Sequence, residues 1–163
     1  HGALLGIIIG TYIFSKKKNI PTFFLLDIIS CVSPIGIFFG RIANFINAEL
    51  VGKVTNVSWG VIFPNIDMLA RHPSQLYEAI LEGMILFLIL YLTISKPKYI
   101  IGTCSYLFLI LYGIFRIISE FFREPDAQLG YFFEIFSMGT ILSFIMIFAG
   151  IIIFNNLRKK NEI

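Results

Sequence analysis

Five apolar runs, each ended by a short basic or polar connection, govern what this chain can fold into. They cover residues 2–14, 23–40, 73–95, 99–122 and 136–154. In hydrocarbon a backbone N–H or C=O finds no water, so a crossing segment must satisfy its own polar groups as a helix, which takes about 20 predominantly apolar residues. The last four runs approach or exceed that length. The first, GALLGIIIGTYIF, is too short to cross alone and reads as the second half of a helix that starts upstream. It lacks the basic start and small-residue cleavage site of a signal peptide. With no methionine before His1, the expectation is a piece of a longer protein, truncated at its N-terminus.

Composition agrees with this: 57% of the residues are hydrophobic and 14% charged, against about 45–50% and 25% in soluble domains. The fold expected is therefore all-α, a polytopic integral membrane helical bundle forming a single domain. A small polar or β element should lie outside the bilayer in the loop 41–72, where NVSWGVIFP alternates enough for a short strand or hairpin. Cys31 and Cys104 sit in apolar runs without a pairing framework or ligand spacing, so no disulfide, metal or cofactor is expected. Nor is a nucleic-acid partner. Asp27, alone in its span, reads as a buried helix-pairing group, and Trp59 and the tyrosines as anchors at the membrane interface.

Charge distribution sets an orientation. Lys16, Lys17, Lys18, Lys96, Lys98, Arg158, Lys159 and Lys160 are eight of the thirteen cationic residues, and strict alternation of spans places all eight on one side. Lysine and arginine accumulate in cytoplasmic loops. The C-terminus is then cytoplasmic, and the polar stretches 41–72 and 123–130 belong to the opposite, outer side.

The polar residues left at the span ends carry the chemistry. In GRIANFINAELVG, Arg41 and Asn44 share a helical face if the helix continues past Gly40, and Asn47 to Gly52 read as a helix exit and turn. Two readings of Arg41 stand: an arginine snorkelling to the interface, or a guanidinium fork holding a phosphate bidentately. In RHPSQLYEAILEG, Gln75, Glu78 and Glu82 line one stripe that enters the bilayer, where carboxylates are expensive and face a partner or a wet cavity. Arg71 and His72 should sit at the outer surface. Along LYGIFRIISEFFREPD, Tyr112, Arg116, Ser119, Glu120 and Arg123 fall within a wedge about 100° wide. Facing stripes would place Arg41, Arg116 and Arg123 around a chamber, with Glu49, Glu78, Glu82 and Glu120 limiting their excess charge. Such a pocket suits a ligand with an anionic head and apolar tails, as a phospholipid has. A transporter or channel subunit with an arginine-lined anion pathway would use similar residues, but no repeat symmetry is present. A lipid-binding scaffold would use them too.

These stretches, taken in order as HGALLG, GRIANFINAELVG, RHPSQLYEAILEG and YGIFRIISEFFREPDAQLG followed by SMGTILS, resemble the bacterial prolipoprotein diacylglyceryl transferases across essentially the whole chain. The departures are Ala3 and Ala43 where the family commonly has glycine, and Thr140 and Ile145 in place of glutamine and proline. The resemblance implies transfer of the diacylglyceryl group from phosphatidylglycerol to the lipobox cysteine thiol of a prolipoprotein, with release of glycerol phosphate. It implies membrane lipids and lipobox peptides as partners, and a location in the bacterial cytoplasmic (inner) membrane with the site toward the outer (periplasmic) leaflet. It further implies additional N-terminal spans. His1, Arg41, Asn44, Glu49, Arg116 and Glu120 carry over as catalytic residues, and Arg41, Asn44, Asn47, Gly52, Arg116 and Arg123 as the phosphatidylglycerol site. The base that takes the thiol proton stays open among His1, Glu49, Glu120 and His72, unless the arginines alone lower the thiol pKa.

Overall fold

The computed structural model describes residues 2–124 and 138–161. Helix α1 spans Gly2–Lys18 and ends at Asn19, whose φ of 54° turns the chain toward Pro21. Helix α2 spans Thr22–Ile46. A two-residue hairpin pairs β1 (Val61–Ile62) with β2 (Ala70–Arg71), with Val61 opposite Arg71 and Ile62 opposite Ala70. Helix α3 runs Ser74–Ile94, and its middle, Ala79–Ile85, is wound as a wider π turn. Helices α4 (Thr103–Glu120) and α5 (Met138–Asn161) complete the bundle.

Among the described residues, four helices, α2 to α5, are long and apolar enough to cross a membrane. The packing is that of a membrane bundle, because large apolar side chains such as Phe39, Ile145 and Phe148 are exposed while Asp27, Glu78, Glu82 and Gln75 are wholly buried. A small apolar core of Cys31, Leu86, Leu90 and Cys104 sits between α2, α3 and α4. Helices α4 and α5 pack closely through glycine: a Cβ on Gly113 would lie 2.7 Å from Ile147 Cγ1, and one on Gly150 2.6 Å from Ile110 Cγ1. Small residues that let backbones approach are the usual device for pairing helices in lipid.

Helix α2 does not stop at Gly40. Its 25 residues extend about 38 Å at 1.5 Å per residue, beyond a hydrocarbon core of about 30 Å. The polar loop expected from Arg41 accordingly begins after Ile46. The helix can carry Arg41 this deep because carboxylates on α3 meet it, as described below.

The opposite end is organised by Asp27, which reaches another helix as the sequence suggests, but as a cap. Its carboxylate accepts from Gly102 N at 2.5 Å, Ser105 N at 2.7 Å, Ser105 Oγ at 2.6 Å and the Tyr99 hydroxyl. It thereby satisfies backbone donors that the first turn of α4 would otherwise leave orphaned, and starts that helix at Thr103. Gly102, at φ 98°, admits Leu157 of α5 to within 2.7 Å of where a Cβ would stand. Ser15 Oγ and Thr22 Oγ1, 2.7 Å apart, tie the end of α1 to the start of α2. Lys16–Lys18, Lys96, Lys98, Arg158 and Lys159 thus gather at this one end. Replacing Asp27 by alanine should lower unfolding free energy in detergent by about 2–4 kcal/mol, read as a fall in thermal midpoint, and asparagine, which keeps one acceptor, should cost less.

Candidate active site

At the far end from Asp27, three helices bring charge together in the interior. Arg41 of α2 places Nη1 3.0 Å from Glu78 Oε2 and donates from Nη2 to Glu82 Oε2 at 3.1 Å. Arg116 of α4 donates from Nη1 to Glu78 Oε1 at 2.5 Å and stands 3.6 Å from Glu82 Oε1 and 2.9 Å from Glu120 Oε2. Arg123 Nη1 approaches Glu78 Oε1 at 3.8 Å. Both α3 carboxylates are 0% exposed, against 16% for Arg41 and 10% for Arg116.

The helix α3 sequence explains the arrangement. Gln75, Glu78 and Glu82 recur at helical spacing on one stripe, and the π turn carries Glu82 and Gly83 against α2. A Cβ at Gly83 would lie 2.6 Å from Phe38 Cβ and 2.8 Å from its Cα, so glycine is what lets α3 approach closely enough for Glu82 to reach Arg41. Gly139, in the first turn of α5, plays a similar part on the other side: its Cβ would stand 3.2 Å from Glu120 Oε2 and 3.4 Å from Arg116 Nε. Several contacts in the cluster are close without hydrogen-bond alignment, among them Arg41 Nη1 to Glu78 Oε2 and Arg116 Nη2 to Glu120 Oε2. Arg41 and Arg116, each with five N–H donors, therefore hold contacts to these carboxylates that are not aligned hydrogen bonds.

Above the cluster the chain folds into a clasp. Lys53 N donates to Phe122 O at 2.9 Å and Glu124 N to Val51 O at 3.1 Å, while His72 N bonds Lys53 O and Thr55 N bonds Ala70 O, each at 2.9 Å. Residues 51–55 are thus held between 70–72 and 122–124, with Gly52 at the centre. A Cβ there would fall 2.2 Å from His72 O and 2.8 Å from Phe122 O, both backbone atoms that cannot yield cheaply. Just before it, Ala48 and Leu50 adopt φ of 55° and 53°, each a strain of about 1 kcal/mol or more for a residue with a Cβ. The strained turn is pinned by Glu49 N to Asn44 O at 2.8 Å, Gln75 Nε2 to Glu49 O at 2.7 Å and Ser74 Oγ to Leu50 O at 3.3 Å.

Several expected residues therefore meet and others do not. Arg41, Arg116, Arg123 and Glu120 converge, with Glu78 and Glu82 between them. Asn44 lies half-buried one turn beyond Arg41, and Asn47 is the exposed C-cap of α2. Glu49 departs from expectation: its side chain is exposed and, among the described residues, pairs with no arginine, so it does not limit their charge. Arg71 departs too. It is buried rather than on the outer surface, donating to Gly52 O at 3.0 Å, to Asp67 Oδ2 at 2.6 Å and to Glu124. His1 lies outside the described residues. Gln75 Oε1 and Ser119 Oγ, buried without a hydrogen-bond partner among the described residues, are further polar atoms of the interior, and their helical stripes were their only signal in sequence.

Donation from Arg71 holds the Asp67 carboxyl below the usual carboxylate range, and the same bond strengthens the guanidinium's hold on its proton. A group with a depressed folded pKa contributes stability above its ordinary value, about 3.9, and loses it as pH falls through the folded value. Resistance of residues 60–72 to pepsin should accordingly persist to about pH 4 and decline only below it, and Asp67→Asn should remove that acid-dependent component.

The comparisons agree with this architecture. Residues 1–155 match the family model described as prolipoprotein diacylglyceryl transferase. The chain is 54% identical over 153 residues to the phosphatidylglycerol--prolipoprotein diacylglyceryl transferase of Rickettsia bellii (strain OSU 85-389), covering 93% of this chain and 58% of that protein. It is 51% identical over 162 residues to the enzyme of the same name from Rickettsia typhi (strain ATCC VR-144 / Wilmington), covering 98% of this chain and 62% of that one. The chain thus spans about three-fifths of the length of these relatives. The family match over nearly the whole sequence, at this identity, shows that the chain belongs to the prolipoprotein diacylglyceryl transferase family.

Proposed function

We propose that this chain forms the catalytic part of an enzyme that moves the diacylglyceryl group of phosphatidylglycerol onto the lipobox cysteine of a prolipoprotein. The observation that carries the reading is the convergence of Arg41 and Arg116, from separate membrane helices, on the one carboxylate of Glu78. In this reading the thiol sulfur attacks the glycerol carbon bonded to the phosphate oxygen. A C–S thioether bond forms, the C–O bond breaks with its electron pair leaving on the phosphate, and glycerol phosphate departs. The guanidinium donors not aligned on carboxylates take the phosphate oxygens as their charge grows, with Asn44 and Asn47 nearby at the end of α2. The name carried by the Rickettsia relatives, which specifies phosphatidylglycerol and prolipoprotein, supports the assignment. The basic end of the bundle supports placing Lys16–Lys18 and the C-terminus in the cytoplasm of a bacterial inner membrane, and the arginine cluster toward the outer leaflet.

The thiol proton needs an acceptor. Glu120 is engaged with Arg116, and His72 Nδ1 lies 3.3 Å from the Tyr77 hydroxyl. Glu49, exposed and outside the ion-pair cluster, is the described carboxylate best able to take it.

Transfer is tested with purified protein, phosphatidylglycerol and a lipobox peptide, reading the mass gain on the peptide thiol. Ion flux without that gain would instead support a transporter. Arg116→Lys keeps the charge and removes the fork, and should lower kcat/KM by about 10²-fold, roughly 2.7 kcal/mol of transition-state stabilisation; full activity would overturn the phosphate-clamp role. Glu49→Gln should slow transfer most at neutral pH, and the deficit should narrow as pH rises toward the ordinary thiol pKa of about 8.5, where thiolate forms unaided.

A further inference from the structure

An apolar cavity of about 440 Å³ opens on the flank of the bundle beside the charged cluster, lined by Trp59, His72, Tyr77, Ile80, Leu81 and Phe122. Its relation to the cluster is written in adjacent residues. Tyr77 precedes Glu78, Leu81 precedes Glu82 and Phe122 precedes Arg123; in each pair the apolar member lines the cavity and the charged member joins the cluster. The two compartments therefore share one wall at one height.

The lining offers carbon. Trp59 Nε1 donates to the Tyr77 hydroxyl at 2.8 Å, and that hydroxyl lies 3.3 Å from His72 Nδ1. An indole N–H only donates, so the phenol oxygen accepts from Trp59, and the direction of its contact with His72 Nδ1 is set by the imidazole tautomer. These polar atoms are turned to one another and the ring faces are left for the cavity. His72, Tyr77 and Phe122 also pack edge to face, with centroids 5.2 and 5.4 Å apart about Phe122. A peptide entering such a site would bring backbone N–H and C=O groups and find almost nothing to bond. A hydrocarbon chain asks for no partner. At the mouth, Ile80 is 43% and Trp59 61% exposed, so the cavity opens on the flank of the helices described.

We infer that this cavity seats one acyl chain of the phospholipid whose anionic head is held by Arg41 and Arg116, and that Trp59, Tyr77, Ile80 and Leu81 set the preference for chain length. This rests on the phosphatidylglycerol reading above. The test uses the protein in vesicles containing phosphatidylglycerol with a diazirine near the end of one acyl chain. Irradiation should label the 77–81 segment of the wild type. Ile80→Trp, which fills the cavity from an exposed position, should reduce that labelling about tenfold and lower by a similar factor the kcat/KM advantage of long-chain over eight-carbon phosphatidylglycerol, as expected when roughly two methylenes lose an apolar surface. Ile80→Ala, which widens the cavity, should retain both. Labelling confined to other helices, equal loss in the two variants, or capture at 77–81 of a lipobox peptide carrying the diazirine in place of the lipid would overturn the proposal. Labelling that is lost in Ile80→Trp while no transfer is detected in the wild type would uphold the chain-binding site and fail the transferase reading.

Discussion

The carboxylate of Glu78 holds the interior of this bundle together. It is completely buried, and each of its oxygens faces a guanidinium from a different helix, Arg41 on α2 and Arg116 on α4. A lone buried carboxylate costs several kcal/mol, and so does a lone buried arginine. Sharing one acid between two bases makes each of the three groups conditional on the others. It also explains why α2 continues past Gly40, since Arg41 is tolerable at that depth only with Glu78 and Glu82 in reach. The paradox of an apolar exterior around a charged interior resolves in the same way: lipid solvates the outside, and the charges solvate one another.

The same helix couples this cluster to the clasp above it. The first turn of α3 provides Ser74 and Gln75, which hold the carbonyls of Leu50 and Glu49, and the next turns provide Glu78 and Glu82. A shift of α3 would therefore disturb the strained turn and the ion pairs together. Gly52 completes the link, because the backbone carbonyls of His72 and Phe122 on either side of it leave no room for a side chain. Arg71 closes the assembly from behind by binding the Gly52 carbonyl.

Much of this was legible in the residues, for identifiable reasons. Long apolar runs force helices, and charge on one face of such a helix must seek a partner, so the stripes of Gln75, Glu78 and Glu82 and of Arg116, Glu120 and Arg123 could be read from period alone. What escaped the reading depends on partners distant in sequence or on backbone states without a residue signature. The helical continuation to Ile46 depends on carboxylates some forty residues away. The π turn is announced by no residue. The tight turn that carries Glu49 rests on left-handed backbone at Ala48 and Leu50, where glycine or asparagine would have been the warning. The burial of Arg71 depends on Gly52 and Glu124, neither of which is its neighbour in the chain. Asp27 shows the middle case: its need for a partner was evident, but that the partner would be a helix start rather than a helix flank was not.

The balance of charge in the cluster has a chemical consequence. Arg41, Arg116 and Arg123 are matched by Glu78, Glu82 and Glu120, so the site is not a bare positive hollow. An unbalanced trio of arginines would bind any phosphate tightly, product included, and stronger ground-state binding does not hasten the chemical step. In the proposed reaction, a balanced trio would hold a phosphodiester monoanion modestly. As the C–O bond breaks, a second negative charge grows on the leaving phosphate, and it competes better for the donors that the carboxylates hold only loosely. Donors already buried and pointed at the place where charge develops need little reorganisation at that moment. If the proposed transfer takes place here, the glutamates would serve catalysis as well as folding, by keeping the arginines in the interior while leaving their best alignment for the transition state.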